Sequence, residues 1–86
     1  MGKLKNRDIM VLIDGGNMHN FINQSVVAKL GLPIVRDKPL QVMVANRNKI
    51  ECIGKCLSLT LQIQGCPIQT DFYILPMAAC EAVLGV

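Results

Sequence analysis

Aromatic side chains are nearly missing from this sequence: there is no tryptophan, and Phe21, Phe72 and Tyr73 make up the whole set. Proteins that grip nucleic acid usually combine a continuous basic stripe with rings on which bases stack. Here the net charge of +3 comes largely from Lys3, Lys5 and Arg7, balanced locally only by Asp8. That clustering reads as a solvated basic leader over residues 1–8, and a nucleic-acid partner is disfavoured. Long apolar runs are missing as well. A membrane-spanning helix needs about 18 consecutive apolar residues, whereas the run behind the leader extends only from Ile9 to Ile13 before Asp14 interrupts it. That run is too short for the core of a signal peptide, so the expectation is a soluble chain that is neither secreted nor membrane-bound.

The four cysteines, Cys52, Cys56, Cys66 and Cys80, form no C-x-x-C pair and share the sequence with a single histidine. The donor set of a structural zinc site is therefore lacking, and no metal or cofactor is expected. If Cys52 and Cys56 lie on one strand they stand about 13 Å apart, too far for a disulfide. Reduced thiols predict a cytoplasmic setting. Repeats and low-complexity segments are also missing. With 86 residues, 51% of them hydrophobic and 17% charged, the composition is that of one small globular domain. A domain of this size buries only about 60% of its unfolded surface, so an oligomer interface would add needed stability.

What is present is mostly strand signal. Ile9 to Ile13 is an apolar, β-branched run bounded by Asp14-Gly15-Gly16, which reads as a buried strand ending in a tight loop with a carboxylate at its exit. Asn20 or Asn23 can then cap a short helix in which Ile22, Val26 and Leu30 recur every four residues, with Gly31 as the stop and Pro33 beyond. Leu40 to Val44 alternates, Asn46 to Lys49 supplies turn chemistry, and Ile50 to Cys56 can return as a partner strand, giving a hairpin with a polar tip. Leu57, Leu59, Leu61 and Ile63 alternate with Ser58, Thr60, Gln62 and Gln64, the pattern of a half-buried strand. Gly65 turns the chain, and Ile68, Thr70, Phe72 and Ile74 continue the period until Pro76. Ala82 to Val86 forms a last apolar run.

An aspartate between a buried strand and a Gly-Gly turn is unusual, since Asp is a poor strand former and a buried charge is costly. Taken alone, Asp14 could simply end the strand and cap the turn. The wider pattern goes further. Ile13-Asp14-Gly15-Gly16-Asn17-Met18-His19-Asn20-Phe21-Ile22, the Lys29-Leu30-Gly31-Leu32-Pro33 helix exit, Val44-Ala45-Asn46, Leu61-Gln62-Ile63-Gln64-Gly65, Asp71-Phe72-Tyr73-Ile74-Leu75-Pro76 and Val83-Leu84-Gly85 together resemble the retropepsin-like aspartic proteases of LTR-retrotransposon gag-pol polyproteins. The likeness runs from about Ile9 to Val86.

The resemblance implies a mainly β fold: a closed, antiparallel acid-protease barrel protomer with one short helix. It implies that Asp14 is the catalytic aspartate of an Asp-Ser/Thr-Gly triplet and Gly16 its glycine. It further implies that Gly16 together with Ala45, Asn46 and Arg47, in a hairpin similar to the family's flap, contacts a peptide substrate. Gly15, Val83, Leu84 and Gly85 would support the active-site loop, the last three as the family's hydrophobic-hydrophobic-Gly brace. The sequence departs from the pattern at Gly15, where the family has Ser or Thr, and in ending at Val86 without the family's C-terminal helix.

Paired carboxylates account for the chemistry such a protein performs. Two aspartates a few ångströms apart cannot both ionise comfortably, so they share a proton. One takes a proton from the attacking water while the other hydrogen-bonds the developing oxyanion. The chain has one suitable Asp-Gly motif, so the second carboxylate must come from a homodimer mate. Two alternatives remain at this stage: an inactive dimerisation or peptide-binding module of the same fold, and an NYN-type metal-dependent ribonuclease. Leu12-Ile13-Asp14-Gly15-Gly16-Asn17-Met18 also resembles the opening of such a ribonuclease, with Asp14 as a Mg²⁺ ligand.

Overall fold

The computed structural model describes residues 2–16, 19–36, 41–43, 49–76 and 80–85, with backbone alone at 41–43 and 49–51. The strands are β1 (Gly2–Leu4), β2 (Arg7–Ile9), β3 (Val11–Asp14), β4 (Phe21–Asn23), β5 (Gln41–Met43), β6 (Lys49–Glu51), β7 (Gly54–Ile63), β8 (Cys66–Leu75) and β9 (Ala82–Gly85), and the helix is α1 (Gln24–Leu30). Seven strands form one sheet in the order β2-β1-β7-β8-β4-β9-β3, and β5 pairs with β6 separately. The mainly β class with one short helix is as expected. No helix among the described residues is long and apolar enough to cross a membrane.

The sheet curls until its two edges nearly meet. Edge strands β2 and β3 are consecutive in the chain and separated only by Met10. Glu81 clamps this seam: its Oε1 accepts from the Met10 N–H at 2.8 Å, and the Met10 carbonyl accepts from the N–H groups of Glu81 and Ala82, each at 3.1 Å. Gly2 permits the closest approach, because a Cβ there would stand 2.9 Å from Val11 Cγ2. Pairing is antiparallel except between β4 and β8 and between β3 and β9. Both parallel contacts join segments far apart in sequence, where no tight hairpin dictates direction.

Residues 2–9 are not a solvated leader. They form the β1–β2 hairpin, and β1 continues the sheet beside β7. Lys5 and Asn6 both adopt positive φ, at 49° and 66°, as a two-residue primed hairpin turn requires. The charges point outward while Leu4, 1% exposed, and Ile9 enter the core. Composition dominated by Lys and Arg hid an inward face only two residues wide.

The helix starts at Asn23, whose Oδ1 accepts from the Ser25 N–H at 2.9 Å. It ends at Gly31 in the left-handed region. Val26 and Val27 are its buried residues; Ile22, expected in the helix, belongs to β4.

The β7–β8 hairpin turns through Gln64 and Gly65, both at positive φ. Its alternation is broken by a bulge, where two residues, Leu57 and Ser58, face Asp71 alone between the pairs Cys56–Phe72 and Leu59–Thr70. Ser58 sits at φ 51°, and its N–H donates to Asp71 Oδ1 at 2.8 Å. Beyond the bulge Leu59 and Leu61 are buried, whereas before it Cys56 takes the inward place and Leu57 is 49% exposed. The expected inward run of Leu57, Leu59, Leu61 and Ile63 therefore loses its first member, because an extra residue reverses the facing of everything on one side of it.

Around β8, β4 and β9 the sheet is covered on both faces. Ile22, Phe72, Ile74, Ala82 and Leu84 enter the main core. Their neighbours Phe21, Leu75 and Val83 pack with Cys52 on the other side, flanked by Tyr73 and Cys80. Successive residues serving opposite layers explain why these segments read as unbroken apolar runs.

Two stability measurements check these assignments. Leu59→Ala is expected to lower unfolding free energy by about 2–5 kcal/mol, and Leu57→Ala to change it by no more than about 0.5 kcal/mol; equal losses in urea titrations would restore the unbroken register. Leu4→Ala is expected to cost about 2–5 kcal/mol, a loss that a solvated leader would not produce.

Candidate active site

Asp14 is the last residue of β3 and stands opposite Gly85 in the parallel ladder with β9, with Ile13 opposite Leu84 and Leu12 opposite Val83. On its other side β9 pairs antiparallel with β4, Phe21 opposite Val83 and Ile22 opposite Ala82. The Val83-Leu84-Gly85 segment thus lies between the strand that leads into the Asp14 loop and the strand that leads out of it. Val83 and Leu84 are buried in opposite layers, so the segment is gripped from both faces.

The loop begins with two glycines of different character. Gly16 has φ 87°, a region in which a side chain is strained. Gly15 is not among the positive-φ residues, and a Cβ built on it meets nothing within 4 Å. A serine or threonine would therefore fit at position 15. Asn17 and Met18 lie outside the described residues, as do Ala45, Asn46 and Arg47. Strands β5 and β6 are present as backbone and pair antiparallel, with Val42 opposite Ile50.

The Asp14 carboxylate is exposed, and among the described residues it has neither a hydrogen-bond nor an ion-pair partner. Other described acids are occupied locally: Asp8 lies 4.0 Å from Lys3, Asp71 holds the bulge and Glu81 the seam. No second described carboxylate shares the loop. Leu12 and Ile13, read from sequence as buried, are 52% and 53% exposed. The cause is topological, since among the described residues β3 is an edge strand with β9 as its single neighbour, and only Val11 at its start packs against the main core.

His19 follows the loop as an exposed residue. Its ring meets Tyr73 edge to face with centroids 5.1 Å apart, and Lys55 Nζ lies 5.9 Å from the same Tyr73 ring. This is a packing role. Burial pushes the thiols of Cys52, Cys56 and Cys80 above their ordinary range, which makes them poor nucleophiles. A surface groove of about 430 Å³ is lined by Lys3, Lys5, Pro33, Leu57 and Ser58 among others; it contains no residue of the Asp14 loop, so its size carries no weight for the chemistry there.

Of the two candidate helix caps, Asn23 takes that role and Asn20 has a different place. Its Nδ2 donates to Thr70 Oγ1 and to the Asp71 carbonyl, each at 3.2 Å, and its Oδ1 accepts from the Gly85 N–H at 2.9 Å. Nothing local in the sequence signals this, because the partners lie 50 to 65 positions away.

Comparison with known proteins agrees with this architecture. The family model described as retroviral aspartyl protease matches residues 3–86. Among solved structures, the retroviral protease-like domain of Ddi1 from Leishmania major is similar with a TM-score of 0.70 at 14% identity, covering 98% of this chain and 67% of that one. At that identity the likeness speaks to the fold, which is retropepsin-like. No curated protein matches the chain. Matched along almost its entire length, the chain belongs to the retroviral aspartyl protease family.

Proposed function

We propose that this chain is one half of an aspartic endopeptidase that cuts peptide bonds in polyprotein-like chains of the LTR-retrotransposon type. The observation that carries this reading is Asp14 at the end of an edge strand whose Leu12 and Ile13 are bare, its carboxylate without a partner among the described residues. An exposed edge with apolar side chains on both faces is an aggregation hazard unless something covers it. A second copy related by a twofold axis would cover it and bring a second Asp14 to the first. The two carboxylates would then share one proton. The ionised one would deprotonate a water that attacks the peptide carbonyl, and the protonated one would hydrogen-bond the oxyanion. Gly16 and the β5–β6 hairpin, through Ala45, Asn46 and Arg47, would hold the peptide; Gly15, Val83, Leu84 and Gly85 would steady the loop. The four unpaired thiols fit a reducing, cytoplasmic setting.

Gly15 favours one second reading, a peptide-binding or dimerising module without catalysis, since it lacks the hydroxyl through which the family's Ser or Thr steadies the paired loops. The ribonuclease alternative is not favoured: among the described residues the sheet has one short helix instead of the crossover helices of a parallel α/β domain, and no three acidic, histidine or cysteine side chains converge.

Incubation with a mixed peptide library at mildly acid pH is expected to give cleavage that pepstatin blocks and Asp14→Ala abolishes; cleavage surviving in the Asp14→Ala protein would sink the protease reading. In sedimentation experiments Leu12→Ser combined with Ile13→Ser is expected to shift the protein towards monomer.

Gly15→Ser is expected to raise the cleavage rate, because a Cβ at this position meets nothing within 4 Å and the serine returns the missing hydroxyl. A lost bond of this kind is worth about 1 kcal/mol, and small misplacements slow catalysis steeply. An unchanged or lower rate in a folded dimer would count against this role for position 15.

A further inference from the structure

Asp14 is held in the sheet from one side only. Among the described residues its strand, β3, has β9 as sole neighbour, and Gly85 is the β9 residue opposite the carboxylate-bearing position. Whatever fixes Gly85 therefore fixes the backbone of Asp14. The carboxamide of Asn20 is the side chain that does so, by tying the Gly85 N–H to Thr70 and Asp71 on β8. β8 is itself firmly held, with eight of its ten residues paired to β7 and both faces buried at its C-terminal end.

The orientation of the carboxamide follows from its partners. The Gly85 N–H can only donate and the Asp71 carbonyl can only accept, so one end of the side chain must be an oxygen and the other an N–H group. Two donors and one acceptor are used at once, a combination that aspartate, serine or leucine does not supply. The main chain of the same residue is also anchored, its carbonyl accepting from the Tyr73 N–H at 2.8 Å. Asn20 thus reaches across the parallel β4–β8 contact and around the end of β9.

We propose that Asn20 is a positioning residue for Asp14, acting through Gly85 to set where the carboxylate stands. The proposal deepens the protease reading and rests on it for its kinetic consequence. The structural consequence stands independently, and the experiment separates the two.

Asn20→Leu keeps the side chain's approximate size while removing all three bonds, and Thr70→Val removes one of them at a distance from the loop. Amide hydrogen exchange followed by NMR is expected to show Gly85 exchanging at least about 10-fold faster in Asn20→Leu, with a smaller change of the same sign in Thr70→Val. Amides of the β7–β8 hairpin are expected to keep their rates. In peptide cleavage kcat is expected to fall by about 10- to 100-fold, while KM stays within about twofold, because the substrate contacts are untouched. Unchanged Gly85 exchange in the variants overturns the proposal, as does a kcat loss matched by an equal loss of protection throughout the sheet. If the unsubstituted protein cleaves no peptide, the protease reading fails while the exchange result still decides whether Asn20 fixes Gly85. If Asn20→Leu does not fold, Thr70→Val decides it by the same Gly85 measurement.

Discussion

Everything at the candidate site depends on β9 lying between β3 and β4. A carboxylate at a strand end is mobile unless its strand is anchored, and among the described residues β3 has a neighbour on one flank only. The anchoring comes from the four residues of β9, whose side chains alternate between two packed layers. Burial of two or three such side chains is worth a few kcal/mol, which adds to the ladders that β9 forms with β3 and β4. The parallel register then converts that packing into a position for Asp14, and the Glu81 seam fixes where β9 begins.

The same arrangement leaves β3 apolar on faces that the protomer does not cover. In a domain of this size the surface buried on folding is limited, and bare Leu12 and Ile13 forgo burial that an isolated protein would be expected to use. In the proposed dimer, stability and site assembly would be linked through one surface: covering the edge strand would also bring a second carboxylate to the first.

Much of this was legible in the sequence because it is local. The β7–β8 hairpin, the helix stop at Gly31 and the loop after Asp14 follow from alternation, from glycine and from turn chemistry within a few residues. The misreadings share a cause as well. An apolar run signals contact with something apolar, but it does not say whether that something belongs to the same chain, so Ile9 to Ile13 was read as interior. The bulge at Leu57 and Ser58 depends on the Asp71 carboxylate thirteen positions away, and no periodicity in β7 announces it. Leu4 and Ile9 were obscured by the charges beside them, and the Asn20 amide acts on partners that only the folded chain brings near.

Gly15 marks the point where fold and chemistry separate. The backbone there is unstrained and the space beside it is open, so the fold does not demand glycine, in contrast to Gly16, where positive φ does. The residue most exposed to functional change thus sits next to one constrained by geometry. Such a loop keeps its shape when the hydroxyl is absent, because that shape comes from Gly16, from the β9 ladder and from the Asn20 amide. What the hydroxyl adds in the family concerns the second copy. In the proposed dimer, retention of the protomer fold and tightness of the paired carboxylates would therefore be separate properties, controlled by adjacent residues of one loop.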